Sequence, residues 1–299
     1  MKPAAFASIL LTVAGVAQAA TTGLTYHFPS TGVLPTACTF EMFSYLHERH
    51  GAHSLAMQKY ELNLQLSDTS RSGYRDWKFS LSLDSEITHM HAGGFDLRKR
   101  ELYNFALPCT VIHRFKSGNS MIAALAPTLA TDFVKWNRAW SLNGMFQYKI
   151  KSSEHFSYGF GVVLAPRMFS WCVIPAFSCE WTPNENWRLK LGGGKLTVMR
   201  NLGSGWSAGL FAAGSGGSWA VATDGGDTRI FRVRSLVAGA TEEWDFSREG
   251  QSRRVLSTSV GMPVVTTAEF CRFNANKKTL GKHHYGTGVY AAAALDFRF

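Results

Sequence analysis

His89-Met90-His91 sets two imidazoles on one side of an extended segment, half of a metal site that Asp96 could join. The segment reads as part of a loop with Gly93-Gly94, and no cysteine stands near to complete a ligand set. His283-His284 precedes the last apolar segment and has no carboxylate spaced with it. Asp224-Gly225-Gly226-Asp227 offers two carboxylates but lacks the spaced ladder of oxygen donors a calcium loop needs, so it reads as a turn. His113 falls on the apolar face of its segment, where a lipid hydrolase would keep an imidazole beside a serine, but no fixed spacing ties any serine to it. Gly159-x-Gly161 and Gly214-x-Gly216-Gly217 are not phosphate loops, because no strand-to-helix transition follows either. The five cysteines, Cys38, Cys109, Cys172, Cys179 and Cys271, show no CxxC spacing, and an odd number cannot all pair within the chain. The expectation is therefore no catalytic residue, no cofactor and no metal.

What carries information instead is charge. Lys plus Arg number 31 against 21 Asp plus Glu, a formal net charge of +10, yet charged residues make up only 17% of the chain. Lys59, Lys78, Arg114, Lys149, Arg188, Lys190, Arg232, Arg234 and Arg298 fall on polar faces, against Glu61, Asp84, Asp132 and Asp296. If those faces line a lumen, the lumen is net basic and favours anions. Arg98, Lys99, Arg100, Lys277 and Lys278 fall between segments, where they would meet the anionic heads of lipopolysaccharide.

The elements that position these residues read as strands. Tyr60, Leu62, Leu64 and Leu66 alternate with Lys59, Glu61, Asn63 and Gln65, and Trp77, Phe79, Leu81 and Leu83 alternate with Lys78, Ser80, Ser82 and Asp84. The same period runs through 103–116, 140–150 and 156–165, with further β-rich segments at 121–133, 171–181, 187–199, 205–213, 229–241, 253–265 and 285–299. A less regular candidate lies at 39–48. These segments reach the length of about 9–11 residues that a tilted strand needs to cross a bilayer. Short connections alternate with long ones at 85–100, 214–228 and 266–283, as in an up-and-down barrel. The Gly192-Gly193-Gly194 run bends one strand or turns between two, so the count is about 12, within 10 to 14.

Alternation alone also fits a soluble barrel or sandwich. Two features favour lipid outside. Trp77, Trp140, Trp171, Trp181, Trp187 and Trp206 sit near segment ends, as interfacial girdles do. The polar faces are rich in Ser, Asn, Gln, Thr and Gly as well as charge, where a soluble surface would carry more Glu and Lys. At the N-terminus, Lys2, the apolar stretch 4–16 and Ala17-Gln18-Ala19 make a secretory signal peptide over 1–20, leaving 21–299 as a single exported barrel.

The last residues, Leu295, Phe297 and Phe299 alternating with Asp296 and Arg298, resemble the C-terminal signature of bacterial outer-membrane β-barrels. That resemblance implies an assembly signal in Leu295, Phe297 and Phe299, read by the barrel assembly machinery. Val173-Ile174-Pro175-Ala176-Phe177, and Trp181-Thr182-Pro183-Asn184 followed by Trp187, resemble an outer-membrane family whose domain has no assigned function. Together these imply an all-β, single antiparallel transmembrane barrel in the outer membrane of a Gram-negative-type bacterium. Outer-membrane lipid and lipopolysaccharide are its expected partners, and nucleic acid is not. The expected role is a porin-like passive channel with a net-basic lumen. An outer-membrane lipid hydrolase and a soluble periplasmic barrel binding a small ligand stand as alternatives.

Overall fold

A computed structural model describes residues 36–47, 53–68, 76–134, 139–167, 170–247, 253–272, 279–286 and 288–298. The signal peptide over 1–20, Lys277, Lys278, Phe299 and the side chains of Phe297 and Arg298 lie outside the described residues.

Among the described residues the regular elements are sixteen strands. They are β1 (Thr36–His47), β2 (Ser54–Asp68), β3 (Trp77–Ala92), β4 (Glu101–Ala106), β5 (Cys109–Arg114), β6 (Ser120–Thr131), β7 (Trp140–Lys151) and β8 (Phe156–Arg167). The remainder are β9 (Ser170–Asn184), β10 (Trp187–Gly192), β11 (Lys195–Gly203), β12 (Trp206–Ala222), β13 (Thr228–Asp245), β14 (Arg253–Arg272), β15 (Thr279–Tyr285) and β16 (Tyr290–Arg298). Chain neighbours pair antiparallel, and β1 pairs with β16, which returns through β14 to β13, so the sheet closes on itself. β4 and β5 share the partners β3 and β6, and Pro108, which has no N–H, sits at their break. β15 and β16 likewise both pair with β14. Counting each broken strand once, the described residues form fourteen staves. Fourteen is the upper end of the expected 10 to 14: the 39–48 candidate is the strand β1, and Gly193-Gly194 turns between β10 and β11, with φ of 59° and 76°, and does not bend one strand.

One end holds Thr36, opposite Phe297, together with the short turns at 115–119, 152–155, 185–186 and 204–205; it is called the lower end below. There Trp77, Trp187, Trp206 and Trp244 open or close their strands on the outer face, and Trp206 stacks on Trp244 at 5.3 Å. Trp140 and Phe133 are exposed at the opposite rim, where Phe133 meets Tyr103 at 4.9 Å. Between the two rims the outer face is apolar: Tyr60, Leu62, Leu64, Leu66, Phe79, Leu142, Phe160 and Val260 are exposed. The partners that alternate with them, among them Lys59, Ser80, Ser82, Asn143, Gln147 and Thr241, are buried. An apolar exterior around a polar interior is the reverse of a water-soluble barrel.

Above the upper rim that polarity inverts without any change of register. On β2 the inward set passes from Asn63, Glu61 and Lys59 to Met57 and Leu55. On β3 it passes from Ser80, Ser82 and Glu86 to Met90 and Ala92, while His89 and His91 turn outward. Strands β3, β12 and β14 continue into stretches expected as loops: β3 to Ala92, β12 to Ala222 and β14 to Arg272. The loops expected at 85–100, 214–228 and 266–283 shrink accordingly. The upper end of β12 is covered on both faces, which erases the alternation there, whereas on β3 the buried and exposed residues still alternate but the inward ones are apolar.

Candidate functional site

The upper half of β12 is the decisive element. Beyond Ala213, paired with Lys195, β12 has no β11 residue beside it and keeps only β13 as a full-length partner. Gly216 (φ +126°) takes a backbone conformation open only to glycine here, because a Cβ would lie 2.2 Å from the Val233 carbonyl oxygen. Gly217 leaves the room that the Trp219 ring fills, since a Cβ would meet the ring at 2.4 Å. The strand then crosses to β6, where Ala220 stands opposite Thr131 in the one parallel pairing among the described residues. The Asp132 carboxylate, fully buried, accepts the Ala222 N–H at 2.7 Å and the Val134 N–H at 2.9 Å, and the Asp132 N–H donates to the Ala220 carbonyl at 3.2 Å. The loop after β3 joins this latch: the Arg98 N–H donates to the Ala222 carbonyl at 3.2 Å, and Phe95 inserts against Phe231, Phe270 and His283 at 4.8 to 5.1 Å.

The crossing divides the upper barrel into two lobes. The larger, running from β12 through β13 to β16 and on to β6, is filled by an apolar core that includes Met57, Met90, Leu102, Trp219, Phe231 and Tyr285. The smaller is a ring of seven strands, β6 to β12, and that core leaves it unfilled apart from its share of β6 and β12. The inward face of its wall carries a small apolar cluster, Ile122, Ala124 and Met145 with Val163 against it, among polar residues: Gln147 donates to Ser178 at 2.8 Å, Asn143 donates to Thr128 at 2.9 Å, and, towards the lower end, Lys149 lies 3.3 Å from Glu180. Lys190 stands opposite Glu180 and Thr197, Lys195 lies over the Phe211 ring at 5.5 Å, and Arg188 reaches Glu243 of β13 at 2.5 Å. Four bases thus meet two acids on this side. Beneath the larger lobe the balance reverses. Lys59 lies 3.2 Å from Glu86 and 3.7 Å from Glu61, and Asp84 hydrogen-bonds Asn63.

The eight basic residues expected in the lumen therefore divide four ways. Lys149, Arg188 and Lys190 line the inner wall leading up to the smaller lobe, and Lys59 sits among carboxylates under the larger. Lys78, opposite Ile112, and the exposed Arg114, opposite Ser120, occupy the inward register near the lower end. Arg232 and Arg234 alternate with buried Phe231, Val233 and Ser235, so they lie on the outer face. There they share Glu269, at 2.8 and 3.8 Å, with Lys282 in register opposite it. Reading polar as inward fails at these two positions because they stand above the rim, where the interior is apolar. Lys195 carries the same signal as the other lumen bases but lies beside the glycine run, where the alternation could not be assigned to a face.

His89 and His91 face outward on β3, with His89 3.9 Å from Glu101. His113 lies between the rings of Trp77 and Phe115, at 4.2 and 4.5 Å, and its buried Nδ1 has no hydrogen-bond partner. Among the described residues, Cys109 and Cys179 are free thiols. Asp224 and Asp96, on the two loops that meet over the larger lobe, share a hydrogen bond. That bond, then the Asp96 charge, hold the Asp224 carboxyl above its ordinary range, while Arg98 opposes the rise. The contact is thus fully present below a pH of about 4 and is lost as pH rises through the raised value. Loop closure, followed by a distance label between the two loops, should loosen towards neutral pH in the wild type and lose that dependence in Asp224→Asn.

No curated sequence matches the chain at a significant level. Among solved structures, the TodX monoaromatic hydrocarbon channel is 9% identical with 93% of each chain covered, at a TM-score of 0.36. Pseudomonas putida OprB is 10% identical over 90% of this chain and 93% of its own, at 0.34. Pseudomonas aeruginosa OccK5 is 11% identical over 89% of this chain and 99% of its own, at 0.33. Likeness at this level carries no argument about activity. The sequence model of one family, described as a domain of unknown function (DUF6268), matches residues 44–298, and the chain belongs to that family.

Proposed function

We propose that the protein is a porin-like outer-membrane channel, closed at rest, whose conducting path runs through the seven-strand lobe and favours anions. The observation that carries this reading is the crossing of β12 to β6, which keeps the apolar core on one side and leaves a polar, net-basic lobe on the other. The exposed apolar belt between aromatic rims supports a place in a bilayer. Export would follow from the signal peptide over 1–20, and insertion from the terminal strand carrying Leu295, Phe297 and Phe299. Arg232, Arg234 and Lys282, on the outer face above the rim, would meet lipopolysaccharide phosphates, as would Arg98, Lys99 and Arg100. The role requires no catalysis: His113→Ala is expected to leave lipid turnover unchanged.

Planar-bilayer recording tests the reading. The wild type should give rare, anion-favouring steps, and Lys149→Glu with Arg188→Glu should turn the residual conductance towards cations. Cation preference in the wild type, or charge reversal without effect on selectivity, would refute the path.

A further inference from the structure

The wall of the seven-strand lobe is not of even height. On β3, β13 and β14 the outer apolar belt runs from Trp77 to Ile87, from Trp244 to Leu236 and from Leu256 to Val265. On β10 it runs only from Trp187 to Leu191, in a strand of 6 residues. At about 3.3 Å per residue and a tilt near 45°, Trp187 to Gly192 climbs about 12 Å, half of an apolar belt about 25 Å tall. The Gly193-Gly194 turn therefore lies near mid-bilayer. Above it the flanking strands separate. β9 pairs with β10 only up to Cys179, so Ser170 to Ser178 pair with β8 alone. β12 leaves β11 at Gly214, whose N–H donates to the Gly194 carbonyl at 3.0 Å, and turns inward. A notch results, with β9 on one side, β12 on the other and the glycine turn as its floor.

Two features define what fits there. The outer residues of β9 beside the notch are among the most exposed apolar side chains of the protein, Val173 at 61% and Phe177 at 55%. Yet the open edge of β9 presents backbone N–H and C=O groups that lipid tails cannot satisfy. An occupant therefore needs both a tail and polar atoms. The charge at the floor sets the sign of those atoms, because Lys190 and Lys195 flank the turn on inward positions.

Resting on the reading that this lobe lies in the bilayer, we propose that the notch is a lateral doorway for amphipathic anions. The anionic head passes over Gly193-Gly194 to Lys190 and Lys195, while the alkyl tail stays against Val173 and Phe177 of β9. The doorway joins the smaller lobe to the membrane.

The full chain in lipid nanodiscs, titrated with 11-(dansylamino)undecanoate, tests this. Saturable binding is expected, displaced by dodecanoate but not by dodecyltrimethylammonium or by acetate. Lys190→Gln with Lys195→Gln should weaken it about tenfold, equivalent to about 1.4 kcal/mol. Lys151→Gln, an exposed lower-turn control, should leave it unchanged. Lengthening the β10–β11 hairpin by a few alternating residues at the glycine turn should abolish binding; heat-modifiable migration checks that each variant is folded. Equal displacement by the alkyl cation, or full binding by the lengthened hairpin or the double Gln variant, would overturn the doorway. Bilayer recording keeps the two readings apart. Anion conductance without probe binding defeats the doorway alone, whereas probe binding without conductance in a latch-broken variant defeats the channel alone.

Discussion

Asp132→Ala should convert a nearly silent barrel into one that opens frequently. The carboxylate is fully buried, and its two oxygens take the N–H groups of Ala222 and Val134. Removing it leaves both donors unpaired when β12 lies against β6, at a cost of about 1–3 kcal/mol each. In the open arrangement water can reach them, so the cost falls on the closed state. About 3 kcal/mol would shift the ratio of closed to open by roughly a hundredfold. Asp132→Asn keeps one acceptor oxygen and should fall between wild type and Asp132→Ala. Trp219→Ala, which removes the largest fully buried side chain on the crossing strand, should add to the effect. Open probability in planar bilayers is the measurement, and an Asp132→Ala protein that stays as silent as wild type while migrating as a folded barrel would show that β12 is not a gate.

Lys59→Met is expected to be the most destabilising single change in the lower barrel. The Lys59 ammonium is 7% exposed and sits between Glu61 and Glu86, the latter also 7% exposed. Glu86 accepts from Thr88 as well, at 3.1 Å, so its position is fixed by its own strand. Removing the cation leaves two carboxylates facing each other with little water, a loss of about 3–5 kcal/mol for a buried pair. Urea unfolding of vesicle-inserted protein should show it as a lowered midpoint. The double variant Lys59→Met with Glu86→Leu should recover much of the loss, because it removes the orphaned charge. If the double variant is no more stable than the single, the ion pair is not what holds β2 to β3.

Most of the barrel wall is legible in the sequence, because between the rims each strand meets lipid on one side and polar groups on the other. Tyr60 to Leu66 and Trp77 to Leu83 show the period in their letters. Legibility ends at the upper rim. From Ser215 to Ala222 every residue but Ser218 is buried, so small residues appear on both faces and Gly-Ser-Gly-Gly reads as a loop. Arg232 and Arg234 were assigned inward by a rule that holds in the belt and inverts above it. The smaller lobe's charge was visible in Lys149, Arg188 and Lys190, but its boundary was not, because the Ala220 to Thr131 pairing joins strands far apart in sequence with no local signal.

That single parallel pairing also imposes an order of events. The hydrogen bond from Ala222 to Asp132 closes a loop of 90 residues, whereas the hairpins of the wall close over a handful. Long loops close late, since the ordering of the intervening chain must come first. The wall from β6 to β12 must therefore stand before its mouth can be crossed. On the channel reading, each newly made copy would pass through a stage as an uncovered ring, and the speed of one strand's inward swing would set how long that copy leaks.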